Sequence, residues 1–206
     1  MDCFKKLLVI FLLLQSCAGT PEKVESVIKD DDLDLQMMAA YREGMDALEK
    51  GDVYYAAKKF NEAELLYPQS EWAAKAVLMA SYGYYVQAYY SSAAEELERF
   101  INKYPKDPNL DYAYYLLAMC HYESIVDEKK DLKPLLDAKV KFNLVIKKFP
   151  LTDFAIDAKY KLDLINDLLA AKEMYIARHY IKREKWIAAI NRLKIIVDDY
   201  DTTIYI

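Results

Sequence analysis

Chemistry in this chain could come from only a few residues: Cys3, Cys17 and Cys120, His121 and His179, and carboxylate runs such as Asp30-Asp31-Asp32 and Asp198-Asp199. Hydrolytic, redox or metal chemistry needs such groups at fixed short spacings, and no HExxH, GxSxG, CxxC or glycine-rich phosphate loop occurs. Three cysteines make no disulfide framework. Cys120, between Met119 and His121, is expected to be a buried, inert thiol on a helix. The acidic runs are expected to be solvated faces rather than metal sites. No catalytic residue, no metal and no enzymatic activity are expected. Cys17 is the remaining reactive residue.

Lys5 and Lys6 precede the apolar run Leu7 to Leu14. As a helix those eight residues extend only ~12 Å, against ~30 Å of bilayer hydrocarbon, so the run has the length of a signal-peptide core and not of a membrane span. The tetrad Leu14-Gln15-Ser16-Cys17 then resembles the bacterial lipobox. That resemblance implies cleavage of residues 1–16 and a thioether-linked diacylglycerol on Cys17, with no other cofactor. Ala18, rather than Asp, implies sorting to the outer membrane. Several acyl chains hold a protein on a bilayer where one would not. A net charge of −5 argues against nucleic acid, and electrostatic attraction to anionic lipid adds nothing obvious.

The elements that follow are expected to be helical. Hydrophobic residues make up 54% of the chain, with only 4 Gly and 6 Pro to punctuate them. Residues 17–35 are polar, acidic and aperiodic, and read as a flexible tether. From 36 to 206 one phrase recurs: Tyr67-Pro68, Tyr104-Pro105, Phe149-Pro150, and Tyr200 followed by Asp201. Each closes an amphipathic segment and acts as a helix stop. Aligned on these stops, Gly44, Ala56, Phe60, Ala63 and Pro68 take the positions of a tetratricopeptide repeat, two antiparallel helices in 34 residues. Gly51-Asp52 supplies the turn and Phe60 fills the gap between the paired helices. Tyr84, Ala93 and Leu97 mark a second repeat, Tyr114, Leu117, Ala118, His121, Ala138 and Phe142 a third, and Ala189, Leu193 and Ile196 a fourth. The extra residues between Pro105 and Pro150 fit a surface loop at Asp127 to Pro134. No Gly or Pro lies between Leu151 and Ile206, so the extra residues there are expected to be helix, one long element near 153–182. The fold expected is an all-α tetratricopeptide-repeat solenoid of about four repeats.

Such stacks present a concave face built mainly from the first helix of each pair. Counting from the anchors, that face includes Arg42, Met45, Tyr82, Tyr85, Tyr112, Tyr115, Met119 and Tyr122. Tyr offers broad apolar contact with a polar tip and little rotamer entropy to lose, and Met adapts to varied ligands, which suits a peptide groove. Packing between helices would use the same residues at the same spacing.

Two blocks resemble the BamD family, lipoproteins of the outer-membrane β-barrel assembly machinery: RFINKYPKDPNLDYAYYL (Arg99 to Leu116) and MYIARHYIKREKWIAAINRL (Met174 to Leu193). The resemblance runs from about Met38 to Thr202. It implies a non-enzymatic scaffold, lipid-anchored at the periplasmic face of the outer membrane. Its partners would be unfolded outer-membrane proteins, the POTRA domains of the insertase BamA and other lipoproteins of the complex. Arg192 falls on the family's arginine at the BamA docking surface. Asp201 departs from the expected Pro, and the family usually continues with a further helical repeat. The rival is another lipidated repeat scaffold, such as a pilotin-like factor for pilus or secretin assembly.

Overall fold

The computed structural model describes residues 30–124 and 132–206. Cys17, the signal stretch 1–16 and residues 127–131 of the expected loop lie outside the described residues, while Lys133 and Pro134, expected at the end of that loop, already belong to a helix. Eight α-helices are present among the described residues: α1 Asp30–Glu49, α2 Val53–Leu66, α3 Glu71–Val86, α4 Tyr90–Lys103, α5 Leu110–Glu123, α6 Lys133–Lys148, α7 Asp153–Lys182 and α8 Trp186–Asp199. Helix α1 starts inside the stretch expected to be tether. Asp32 and Asp34 sit near its N-terminal end, where carboxylates are favoured by the helix dipole.

Each helix packs on the next, and α3 also touches α5 as α5 touches α7. This is the connectivity of paired helices stacked into a solenoid. The first helices of the second, third and fourth pairs, α3, α5 and α7, thus also touch one another in succession.

Within the first pair, α1 approaches α2 closely because Gly44 carries no side chain: a Cβ there would stand 2.9 Å from the Phe60 ring. Phe60 is fully buried, with Ala56 and Ala63 beside it. Gly51 turns the chain at φ 80°, and Asp52 caps α2 by accepting the Tyr55 N–H at 3.1 Å. Phe100 and Phe142 repeat the role of Phe60 in the second and third pairs. Each such ring contributes about 1.5–3 kcal/mol by leaving water.

The helix stops are built alike. The carbonyls of Tyr67, Tyr104, Phe149 and Tyr200 accept the N–H three residues on, from Ser70, Asp107, Thr152 and Thr203, at 3.1 to 3.2 Å. The fourth turn forms without proline. Asp201 therefore leaves the stop intact, because the bond belongs to the carbonyl of the preceding aromatic residue.

The long helix occupies 153–182, capped by Thr152, whose hydroxyl accepts the Ala155 N–H at 3.3 Å. Ile165 and Leu169 are buried, and Leu162, Ile176 and Tyr180 are half-buried. In the last pair Ala189 and Ile196 are buried but Leu193, expected in the core, is half-exposed. The outward side of α8 leaves Trp186, Ile187, Ile190 and Val197 exposed.

Candidate functional site

The inner face begins on α1 and α3. Arg42 is exposed, Met45 is half-buried against the Phe60 cluster, and Tyr82 is 38% exposed. Tyr85 lies half-buried, its ring 5.8 Å from that of Tyr90. Burial, then the Glu123 carboxylate, pushes its phenol above the ordinary range.

On α5 the tyrosines turn towards α7. Tyr112 packs on Phe154 at 5.5 Å, and Tyr115 stacks on the same ring at 5.1 Å. The Tyr115 hydroxyl donates to Asp157 at 2.5 Å. Tyr122 meets Phe142 edge-on at 6.2 Å, and Lys161 of α7 stands 5.3 Å over its ring. The contacts with Phe154, Asp157 and Lys161 make a ladder that fastens the third pair to the fourth. Burial, then the neighbouring Tyr82 and Tyr85 phenols, pushes Tyr112 up to about 12. Burial and the bond to Asp157 raise Tyr115 further.

The structure therefore divides the eight expected groove residues. Arg42 and Tyr82 are open to a ligand, with Met45 and Tyr85 at their edge. Tyr112, Tyr115 and Tyr122 are engaged between helices. Met119 is a correction: at 8% exposure it belongs to the core around Phe142 and presents no groove surface. Its place on α5 puts it between Leu116 and Cys120, both buried.

Cys120 is buried, and burial pushes its thiol up to about 12, which keeps it protonated and unreactive at neutral pH. His121 is half-buried with no hydrogen-bond partner at Nε2, and burial followed by Lys141 lowers its pKa. Among the described residues no group of His, Cys, Asp or Glu is gathered to hold a metal ion.

Arg192 does not stand alone. Its Nη1 lies 3.1 and 3.4 Å from the two carboxylate oxygens of Glu173 on α7. Its side chain is 38% exposed and that of Glu173 15%. The expected docking arginine is thus oriented by a partner within the chain, with the rest of the guanidinium open.

Two features escaped the sequence. A cleft of about 710 Å³ lies along α2 where it meets α3, lined by Tyr54, Lys58, Asn61, Glu62, Leu65, Leu66 and Tyr84. Tyr54 and Leu65 are 60% and 76% exposed. Tyr54, Lys58, Asn61 and Leu65, at i, i+4, i+7 and i+11, trace one face of a helix, and that spacing could have signalled it. The second is Glu64, only 2% exposed, which accepts from Arg99 at 2.6 Å and from Lys103 and Tyr104 at 2.7 Å. It joins α2 to α4 across two repeats.

Comparison with known proteins adds a relationship. The family described as YfiO, outer membrane lipoprotein, matches residues 33–206. The chain is 37% identical to the outer membrane protein assembly factor BamD of Caulobacter vibrioides over 91% of its own length and 60% of that protein's. It is 38% identical to that of Rickettsia prowazekii over 96% of its length and 76% of the relative's. With the Neisseria gonorrhoeae protein of the same name it shares 30% over 95% and 76%.

Proposed function

The chain belongs to the family of YfiO outer membrane lipoproteins, and on that footing we propose that it is a non-enzymatic scaffold that holds unfolded β-barrel proteins and presents them to the BamA insertase. Its relatives are named outer membrane protein assembly factors. The chain spans 60% of the length of the Caulobacter relative, so substrate and partners are assigned here from its own residues and the resemblance. The proposal includes attachment through a lipid on Cys17, supported by the pattern Leu14-Gln15-Ser16-Cys17, with the repeats at the periplasmic face.

The observation that supports the reading is the exposure of Arg42 on α1 and of Tyr82 on α3, two positions of the expected concave face. An extended apolar segment can lay its side chains against Tyr82, Tyr85 and Met45 while Arg42 meets a carboxylate or a backbone carbonyl. Work of this kind is binding alone: the groove keeps a segment from aggregating, and the α7–α8 end, with Arg192, engages the insertase.

The test is fluorescence binding of an unfolded barrel segment to the full chain. Tyr82→Ala should weaken it several-fold while helix content and melting point stay unchanged. Equal binding by wild type and variant would remove this face from the account.

A further inference from the structure

Helix α7 has 30 residues where its neighbour α6 has 16, roughly 45 Å against 24 Å at 1.5 Å per residue. Its contribution to the core around Phe142 ends at Leu169. Beyond that point Ala170 and Ala177 are buried, on the same face as Glu173, which bonds to Arg192 of α8. The second half of α7 and the start of α8 therefore form a two-helix arm, with one face of α7 covered by α8 and the opposite face bare.

That bare face is basic and aromatic. Tyr175, Arg178, His179 and Lys182 fall at i, i+3, i+4 and i+7, and with Ile181 they line a cleft of about 430 Å³. Tyr175 is 72% exposed, and Trp186 and Ile187 at the tip are 58% and 79% exposed. Arg183 and Lys185 flank the turn, and Glu184 is the single acidic residue from Met174 to Trp186. Among the described residues no carboxylate pairs with Arg178, Lys182, Arg183 or Lys185. The chain as a whole carries −5, so averaged charge gives no hint of an anionic partner. Four cations without a carboxylate partner thus fall within eight residues, Arg178 to Lys185, at one end of the described chain.

We propose that the α7–α8 arm is a second membrane contact, a site for anionic phospholipid headgroups. Arg178 and Lys182, one turn apart, bind phosphate oxygens in the cleft, with Arg183 and Lys185 adding attraction at the turn. Tyr175 and Trp186 lie at headgroup depth, where amphipathic rings are favoured, and Ile187 enters the acyl boundary. The charge is complementary to phosphate, and the interleaving of cations with Tyr and Trp is that of interfacial segments. Membership of an outer membrane lipoprotein family puts a phospholipid surface within reach. The inference needs that membership but not BamA or a barrel substrate.

The probe is Trp186 in the full chain, incorporated into phosphatidylethanolamine vesicles with one-quarter phosphatidylglycerol and bromine-labelled acyl chains. The chain has 2 Trp, so a Trp186→Phe variant isolates the signal of Trp186 from that of Trp72. Trp186 emission should shift to the blue and be quenched in these vesicles. Quenching should fall in phosphatidylcholine alone and at about 1 M salt, where screening acts beyond ~3 Å. The variant R178E/K182E should need about tenfold or more additional anionic lipid for the same quenching, with unchanged circular dichroism. Quenching that is absent, equal in neutral vesicles, or retained in R178E/K182E overturns the proposal. So does a blue shift produced by soluble polyglutamate but not by the anionic vesicles, which would make the arm a site for an acidic polypeptide.

Discussion

Glu64 of α2 and Arg99 of α4 meet at 2.6 Å, thirty-five positions apart in the chain, with the carboxylate nearly sealed from water. Burial alone would raise the Glu64 pKa, but donation from Lys103, Arg99 and Tyr104 outweighs it and holds the group below its ordinary range. A depressed carboxylate contributes stability that is present above its unfolded value, 4.5, and lost as the pH falls through the folded value. Glu64→Gln should flatten the acid limb of a stability-against-pH curve. Glu64→Ala should cost about 1–3 kcal/mol, less than a fully buried pair, because Arg99 and Lys103 keep part of their hydration. A melt of Glu64→Ala superimposable on wild type at pH 7 would make the clamp decorative.

The Gly44–Phe60 contact fixes the first pair. Phe60→Ala should destabilise it by ~3–5 kcal/mol, as ring and packing are lost together. Gly44→Ala should also destabilise, because the new methyl would stand 2.9 Å from the ring. Chemical denaturation reads both, and an unchanged midpoint for either would misplace the repeat register.

The tyrosine ladder gives the alkaline side. Tyr112 and Tyr115 are raised in the fold, so their contribution is complete below the ordinary phenol value of 10.0 and is lost as the pH climbs through it towards 12. Tyr112→Phe should shallow the fall in stability above pH 10. Tyr115→Ala should lower the melting point outright, since it removes the stack on Phe154 and the bond to Asp157. If Tyr115→Ala instead weakened only ligand binding, the ladder would be groove surface after all.

Asp201 occupies the place of Pro68, Pro105 and Pro150, in a turn with the same hydrogen bond from Thr203 to Tyr200, and Asp201 itself donates no backbone bond there. Asp201→Pro should therefore be tolerated, and should stabilise by ~0.4–1 kcal/mol through a less free unfolded chain. A loss of stability would show that the fourth turn differs from the other three.

The repeat register was legible because it rests on small residues and aromatic stops at fixed spacing: Gly44 with Phe60, Ala93 with Leu97, Ala138 with Phe142. The length of α7 was legible for a related reason, the lack of any Gly or Pro to end it. Which tyrosines of α5 face solvent was not. Tyr112, Tyr115 and Tyr122 have groove periodicity, but Phe154, Asp157 and Lys161 come from a helix some forty residues later and cover them. Proline as the helix stop was half the mechanism: the carbonyl of the preceding aromatic residue makes the turn. The basic arm lies within eight consecutive residues, Arg178 to Lys185, and the net charge hid it because that figure sums over the whole chain.

The proposed function assigns to Arg192 the contact between scaffold and insertase. Its geometry favours that role, since Glu173 holds Nη1 and leaves the other guanidinium nitrogens for a carboxylate outside the chain. Such a bond, desolvated at an interface, costs ~2–5 kcal/mol to truncate, against ~0–1 kcal/mol for a solvated pair. The direct measurement is co-purification of the full chain from detergent-solubilised membranes, wild type beside Arg192→Leu, with identification of what is retained. The wild-type chain should bring down BamA, and Arg192→Leu should bring down far less while keeping its fold and its membrane fraction. A secretin in place of BamA, or BamA retained equally by both chains at physiological salt, would contradict the account.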